Sequence, residues 1–174
     1  MNYQNITISG KICTGKTTLR NLLSKKLGWQ TFSTGELFRQ YVKENNLSLE
    51  QAEEQNDKLT KKIDGQVKEL LRTKKKQIID SWLAGITARG IPGVLKILLI
   101  CKDDIRYKRF AKREKTSYQE AKLKVDERFQ NWSKKIYQIY KRRDFFQEKY
   151  FDLIIDTSYI TPQAALKKVI NTLA

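Results

Sequence analysis

Gly10-Lys11-Ile12-Cys13-Thr14-Gly15-Lys16-Thr17 carries the spacing G-x-x-x-x-G-K-[ST] and follows an alternating run, Gln4 to Ser9, in which Ile6 and Ile8 fall on one face of a strand. A strand, a phosphate-wrapping loop and a helix are therefore expected in that order. Backbone N–H groups can close around phosphates only where no Cβ intrudes, which calls for Gly10 and Gly15; the Lys16 ammonium reaches the terminal phosphates and the Thr17 hydroxyl holds Mg²⁺. Cys13, Thr14 and Thr18 complete the expected triphosphate site. The helix starting at Lys16 has an apolar face of Leu19, Leu22, Leu23 and Leu27, and its N-terminal N–H groups and positive dipole end point at the anion. Cys13 stands where such loops often carry glycine, and Ile12 is β-branched, so an altered loop geometry is expected.

Outward from this stretch, strand and helix patterns alternate. Trp29 to Phe32 reads as a second strand, and Ser33-Thr34-Gly35-Glu36 as a capping-box start to a helix through about Asn45. Ser48-Leu49-Glu50-Gln51 repeats that signal, and a polar helix or helix pair continues to about Arg72, with Asp64-Gly65 as a candidate break. Gln77 to Asp80 and Leu95 to Cys101 read as the third and fourth strands. Asp103 and Asp104 open a basic helix to about Lys115, Ser117 caps another that extends to about Gln147, and Leu153 to Ile155 is a fifth strand. Thr161-Pro162 starts the last helix. This order predicts an α/β fold, an open parallel sheet of about five strands flanked by helices on both faces. The residues after each strand, Ser33-Thr34, Asp80 and Asp156-Thr157 together with the phosphate loop, should then collect on one edge.

The 174 residues suit one domain, residues 1–174, and contain no run long and apolar enough for a membrane span. Cytoplasmic localisation is expected: Cys13 and Cys101 lie far apart without neighbouring histidines, as unpaired thiols of a reducing compartment do. The chain has no histidine at all, which excludes an imidazole base, a Ser-His pair and a His-ligated zinc. Lysine, arginine, carboxylates and Mg²⁺ remain, and they suit phosphoryl transfer, where positioning and charge neutralisation supply most of the catalysis. The net charge of +16 gives a field that attracts nucleotides; because lysines are spread along most helices, nucleic acid is a secondary candidate rather than the main partner.

With these residues in view, the chain resembles the nucleoside monophosphate kinases of the P-loop superfamily, most of all the short archaeal-type cytidylate kinases. Besides the phosphate loop, the resemblance rests on Ser33-Thr34-Gly35-Glu36-Leu37-Phe38-Arg39, Leu83-Ala84-Gly85, the run Arg106 to Glu114, and Tyr150 to Ser158. It implies a three-layer P-loop kinase fold with acceptor-binding helices over about 34–72 and a short lid over about 109–130. It implies transfer of phosphate from ATP, with Mg²⁺, to a nucleoside monophosphate, CMP or dCMP before others, by a monomer. By that resemblance Ser33 and Thr34 touch the acceptor and Arg39 grips its phosphate, for which a planar guanidinium fork is well matched. Arg106 and Arg109 take the adenine side of the lid, Arg109, Arg113 and Arg128 join Lys16 on the transferring phosphate, and Asp80 holds Mg²⁺ through water beside Thr17.

Two departures fall on the acceptor side. Relatives usually have Gly-Arg before Leu-Ala-Gly where this chain has Ser81-Trp82, and an arginine after the aspartate where it has Asp64-Gly65-Gln66. Asp64 remains to accept from a cytosine amino group, and Trp82 either stacks on a base or fills the core. The alternatives are a kinase for another small acceptor and a nucleotide-binding module acting through an RNA or protein partner.

Overall fold

The computed structural model describes residues 3–47 and 57–174. β1 (Asn5–Gly10) is buried along its whole length, as a strand covered on both faces must be. It pairs in parallel with β3 (Gln77–Asp80) on one side and β4 (Val94–Ile100) on the other; β2 (Gln30–Ser33) and β5 (Leu153–Asp156) close the edges, in the order β2-β3-β1-β4-β5. The register is pinned by a buried side chain. Asn5 donates through Nδ2 to the carbonyls of Leu71 and Lys74 and accepts from the Gln77 N–H, tying three segments at the start of the sheet.

One face of the sheet, with Ile6, Ile8, Leu95, Ile97 and Leu99, packs against Leu19 and Leu23 of α1 (Lys16–Leu27) and Ala165 and Val169 of α7 (Pro162–Leu173). On the other, Ile79 and Val94 meet Val67 and Leu71 of α3 (Asp57–Thr73) and Ala84 of a short α4 (Ala84–Thr87). A third cluster joins Phe38 of α2 (Thr34–Glu44) and Ile63 to Trp132 and Ile136 of α6 (Tyr118–Tyr140), and α5 (Asp103–Glu114) packs on α6 through Tyr107 and Phe110. The expected α/β layering is thus present.

The helix starts follow the expected chemistry: Ser33, Ser117 and Thr161 each accept a backbone N–H three residues on. Two expected boundaries are corrected. Asp64-Gly65 does not break α3, because Thr60, Ile63, Val67 and Leu71 bury one continuous face and outweigh the glycine. α6 stops at Tyr140 rather than near Gln147: Lys141 turns left-handed at φ 55°, and Asp144 then binds the Arg142 guanidinium at 2.9 and 2.7 Å. The expected cap at Ser48 lies outside the described residues. Both cysteines are free, and no helix among the described residues is long and apolar enough to cross a membrane.

Candidate active site

The carboxyl ends of β1, β2 and β3 open into a cleft of about 1340 Å³. One side of it is the loop from β1 to α1. Gly10 has φ 148°, and a Cβ there would lie 2.5 Å from the Leu99 carbonyl oxygen, so the loop leaves the sheet only with glycine at this position. Cys13 adopts φ 61°, a left-handed conformation although it is not glycine. The Lys16 ammonium folds back under the loop and donates to the carbonyls of Gly10 at 2.7 Å and Lys11 at 2.8 Å. Burial pushes its pKa down to about 8. Burial also raises the Cys13 thiol, against the pull of Arg113 and Lys16, so this thiol is not an activated nucleophile. Thr17 and Thr18 are exposed at the start of α1.

Further side chains tether this loop. Thr14 is buried and donates to the Lys11 carbonyl at 2.9 Å; the Thr157 hydroxyl, after β5, donates to the Thr14 carbonyl at 2.9 Å. Arg109 donates to the Cys13 carbonyl at 3.3 Å and to the Thr157 carbonyl at 2.5 Å while still bordering the cleft. Arg106 is placed differently from the lid-side expectation. It does not line the cleft, because its buried guanidinium lies under the loop, donating to the Ile12 carbonyl at 2.8 Å and pairing with Asp103. Here Arg106 shapes the loop.

On the side expected to take the acceptor, Ser33, Thr34 and Arg39 line the cleft at the start of α2, Asp80 and Trp82 line it at and after the end of β3, and Arg113 and Arg128 approach from α5 and α6. The two helices are joined by Lys115, Thr116 and Ser117 alone. Eight lysines and arginines but only three carboxylates line the cleft, a balance that suits two polyanionic ligands. Gly10 and Thr14 sit behind the lining and act through the loop. Asp64 is also outside it: its turn of α3 faces α6, where it accepts from the Tyr140 hydroxyl at 2.7 Å, and burial raises its pKa to about 6. Trp82 packs among Phe129, Trp132, Phe145 and Phe146, the core role expected of it, and also borders the cleft.

Arg20 had no forecast role. It is 5% exposed on α1, and one guanidinium links Asp80 at 3.2 Å to Glu36 of α2 at 2.5 Å. The carboxylate expected to serve Mg²⁺ and the first turn of α2 are thereby held by one buried cation, which also lowers the Glu36 pKa through its hydrogen bond. No local pattern points to this, since the partners lie 60 and 16 residues away.

A family model described as an AAA domain matches residues 6–130. A cytidylate kinase of Methanosarcina acetivorans is 35% identical over 87% of this chain and 86% of its own length, and one of Methanobrevibacter smithii is 32% identical over 97% of both. The chain belongs to the cytidylate kinase family. The resemblance carried by the phosphate loop, Ser33 to Arg39, Leu83 to Gly85, Arg106 to Glu114 and Tyr150 to Ser158 is therefore borne out over nearly the whole chain. A shikimate kinase of Acinetobacter baumannii with shikimate bound superposes with a TM-score of 0.62 over 98% of this chain and 93% of its own, at 14% identity, which identifies the P-loop kinase fold and no substrate.

Proposed function

We propose that the protein transfers the terminal phosphate of ATP to CMP or dCMP. The observation that carries this reading is one cleft in which the phosphate loop with Lys16 faces Thr34 and Arg39 across Asp80, with Arg109, Arg113 and Arg128 along the same cleft. Family membership supplies the acceptor class. Lys16 and the three arginines neutralise the charge that builds on the transferring group, and Arg39 holds the acceptor phosphate in line despite its repulsion from the donor. The acceptor phosphate is already an anion near neutral pH, so a chain without histidine needs no general base. Ser33 and Thr34 position the acceptor. Trp82 offers its ring to the base from the edge of the aromatic cluster, and Asp64 supports that wall through Tyr140.

Mg²⁺ fits the oxygen donors present: the exposed Thr17 hydroxyl would bind it directly and Asp80 through water, and when bound it adds charge neutralisation at the terminal phosphates. Arg20 holds the Asp80 side chain beside that place. The reading treats residues 1–174 as one monomeric, cytoplasmic kinase domain, with acceptor-binding helices over about 34–72 and a lid over about 109–130 that closes over the substrates and limits ATP hydrolysis by water. An ADP-release assay across CMP, dCMP, UMP, AMP, GMP and dTMP tests it. Cytidine monophosphates should give the highest kcat/KM, and equal or better turnover of a purine monophosphate would overturn the assignment.

A further inference from the structure

We infer a second ligand site, for an aromatic anion, in the cavity between the C-terminal half of α6 and residues 143–147. The cavity measures about 580 Å³, within the range of small-molecule pockets, and shares no lining residue with the cleft. Phe129, Ser133 and Tyr137 recur every four residues on one face of α6, and Phe145 and Phe146 close the opposite wall as an edge-on pair with centroids 4.8 Å apart. Rings on two sides make a slot for a planar group.

Charge and an unspent hydrogen bond define the rest of the ligand. Lys11 Nζ lies 4.7 Å from the Phe129 centroid and the Arg143 guanidinium 4.4 Å from that of Tyr137, so cations flank the slot. The one carboxylate lining the cavity, Asp144, is already bound by Arg142 and by the Tyr150 hydroxyl. The Ser133 hydroxyl is buried and has no hydrogen-bond partner among the described residues. Such an orphan calls for an occupant that supplies its bond. A planar aromatic group between the rings, an anionic group between Lys11 and Arg143, and a polar atom at Ser133 satisfy all three observations together.

The test uses the full chain, labelled with ¹⁵N and titrated with 1-naphthyl phosphate while amide shifts are followed. A ligand of this size should bind with a Kd of about 1 mM and move the signals of Phe129, Ser133, Tyr137 and Phe146. Arg143→Ala should weaken binding about tenfold and Arg143→Lys should restore part of it. Inorganic phosphate and 1-naphthalenemethanol should each bind about tenfold more weakly than the naphthyl phosphate, because each satisfies only half of the site. Arg39 lies in the cleft and is not among the residues lining this cavity, so Arg39→Ala should leave this binding intact, which separates the site from the kinase reading. Shifts confined to the cleft around Lys16 and Arg39, undiminished binding to Arg143→Ala, or no shift at the α6 positions would overturn the inference.

Discussion

Arg20→Met removes the guanidinium that joins Asp80 to Glu36 while keeping most of the side-chain volume. The Arg20 and Asp80 side chains are each 6% exposed and 3.2 Å apart, so the substitution leaves an uncompensated carboxylate in the protein interior, a change that costs about 3–5 kcal/mol. Asp80 borders the cleft, where water reaches it, and the lower end of that range applies. Glu36 is half exposed, so its share is screened to about 0.5–1 kcal/mol. The sum is about 3–4 kcal/mol, equivalent to a fall in Tm of about 10 °C for a chain of this size. Urea and thermal unfolding of the wild type, Arg20→Met, Asp80→Asn and the double variant would measure it. Asp80→Asn removes the stranded charge, so the double variant should recover at least about 1.5 kcal/mol relative to the sum of the singles. A loss below about 1 kcal/mol for Arg20→Met, or a cycle that is additive within about 0.5 kcal/mol, would refute the claim that this guanidinium organises the cleft.

Three further outcomes follow from the same structure. Lys16 is held down at about 8 in the free protein, and a bound triphosphate draws its pKa back up; the complex then holds more protons, so ATP affinity should fall as pH rises through about 8, and calorimetry in buffers of different ionisation heat should read uptake of about half a proton at that pH. Asp64 has a folded pKa of about 6 against 3.8 in the unfolded chain. The native state therefore holds the extra proton between those values, and the stability this group contributes at low pH is lost as pH rises through about 6. Asp64→Asn should accordingly gain about 1–2 kcal/mol above about pH 7 and nothing below about pH 4 in unfolding titrations; a pH-independent effect would contradict the burial argument. Finally, two glycines should respond oppositely. A Cβ at Gly85 would sit 2.2 Å from the Phe151 ring, so Gly85→Ala should cost about 1–3 kcal/mol, whereas nothing lies within 4 Å of one at Gly65, mid-helix, and Gly65→Ala should gain about 0.5–1 kcal/mol by thermal unfolding.

What could be read from the chain depended on how local the determining interactions are. The phosphate loop, the three Ser/Thr helix caps and the apolar strands are short-range signals, and each element they announce is present. Boundaries failed at two helices, one for a distant reason and one for a local one. Gly65 reads as a break only until the buried face of α3 is known, and Gln147 looks helical until the Arg142–Asp144 pair is seen to fold the chain back. Within the cleft, Thr34 and Asp80 follow from element order, because strand ends converge in a parallel sheet, whereas Arg39 and Arg113 follow from the family resemblance. Arg20 and Arg106 do not. Both are arginines on basic helices with no sequence mark to separate them from their solvated neighbours, and only the fold shows that one is clamped between carboxylates and the other lies beneath the loop.

Whether Lys16 and CMP meet in one cleft is read from ADP release from ATP and Mg²⁺ with and without CMP, in wild type and Lys16→Ala side by side. CMP should stimulate ADP release strongly in the wild type, and Lys16→Ala, with its circular dichroism and Tm close to wild type, should lose nearly all of it. Wild-type ADP release indifferent to CMP, or turnover retained in a folded Lys16→Ala protein, would contradict the account.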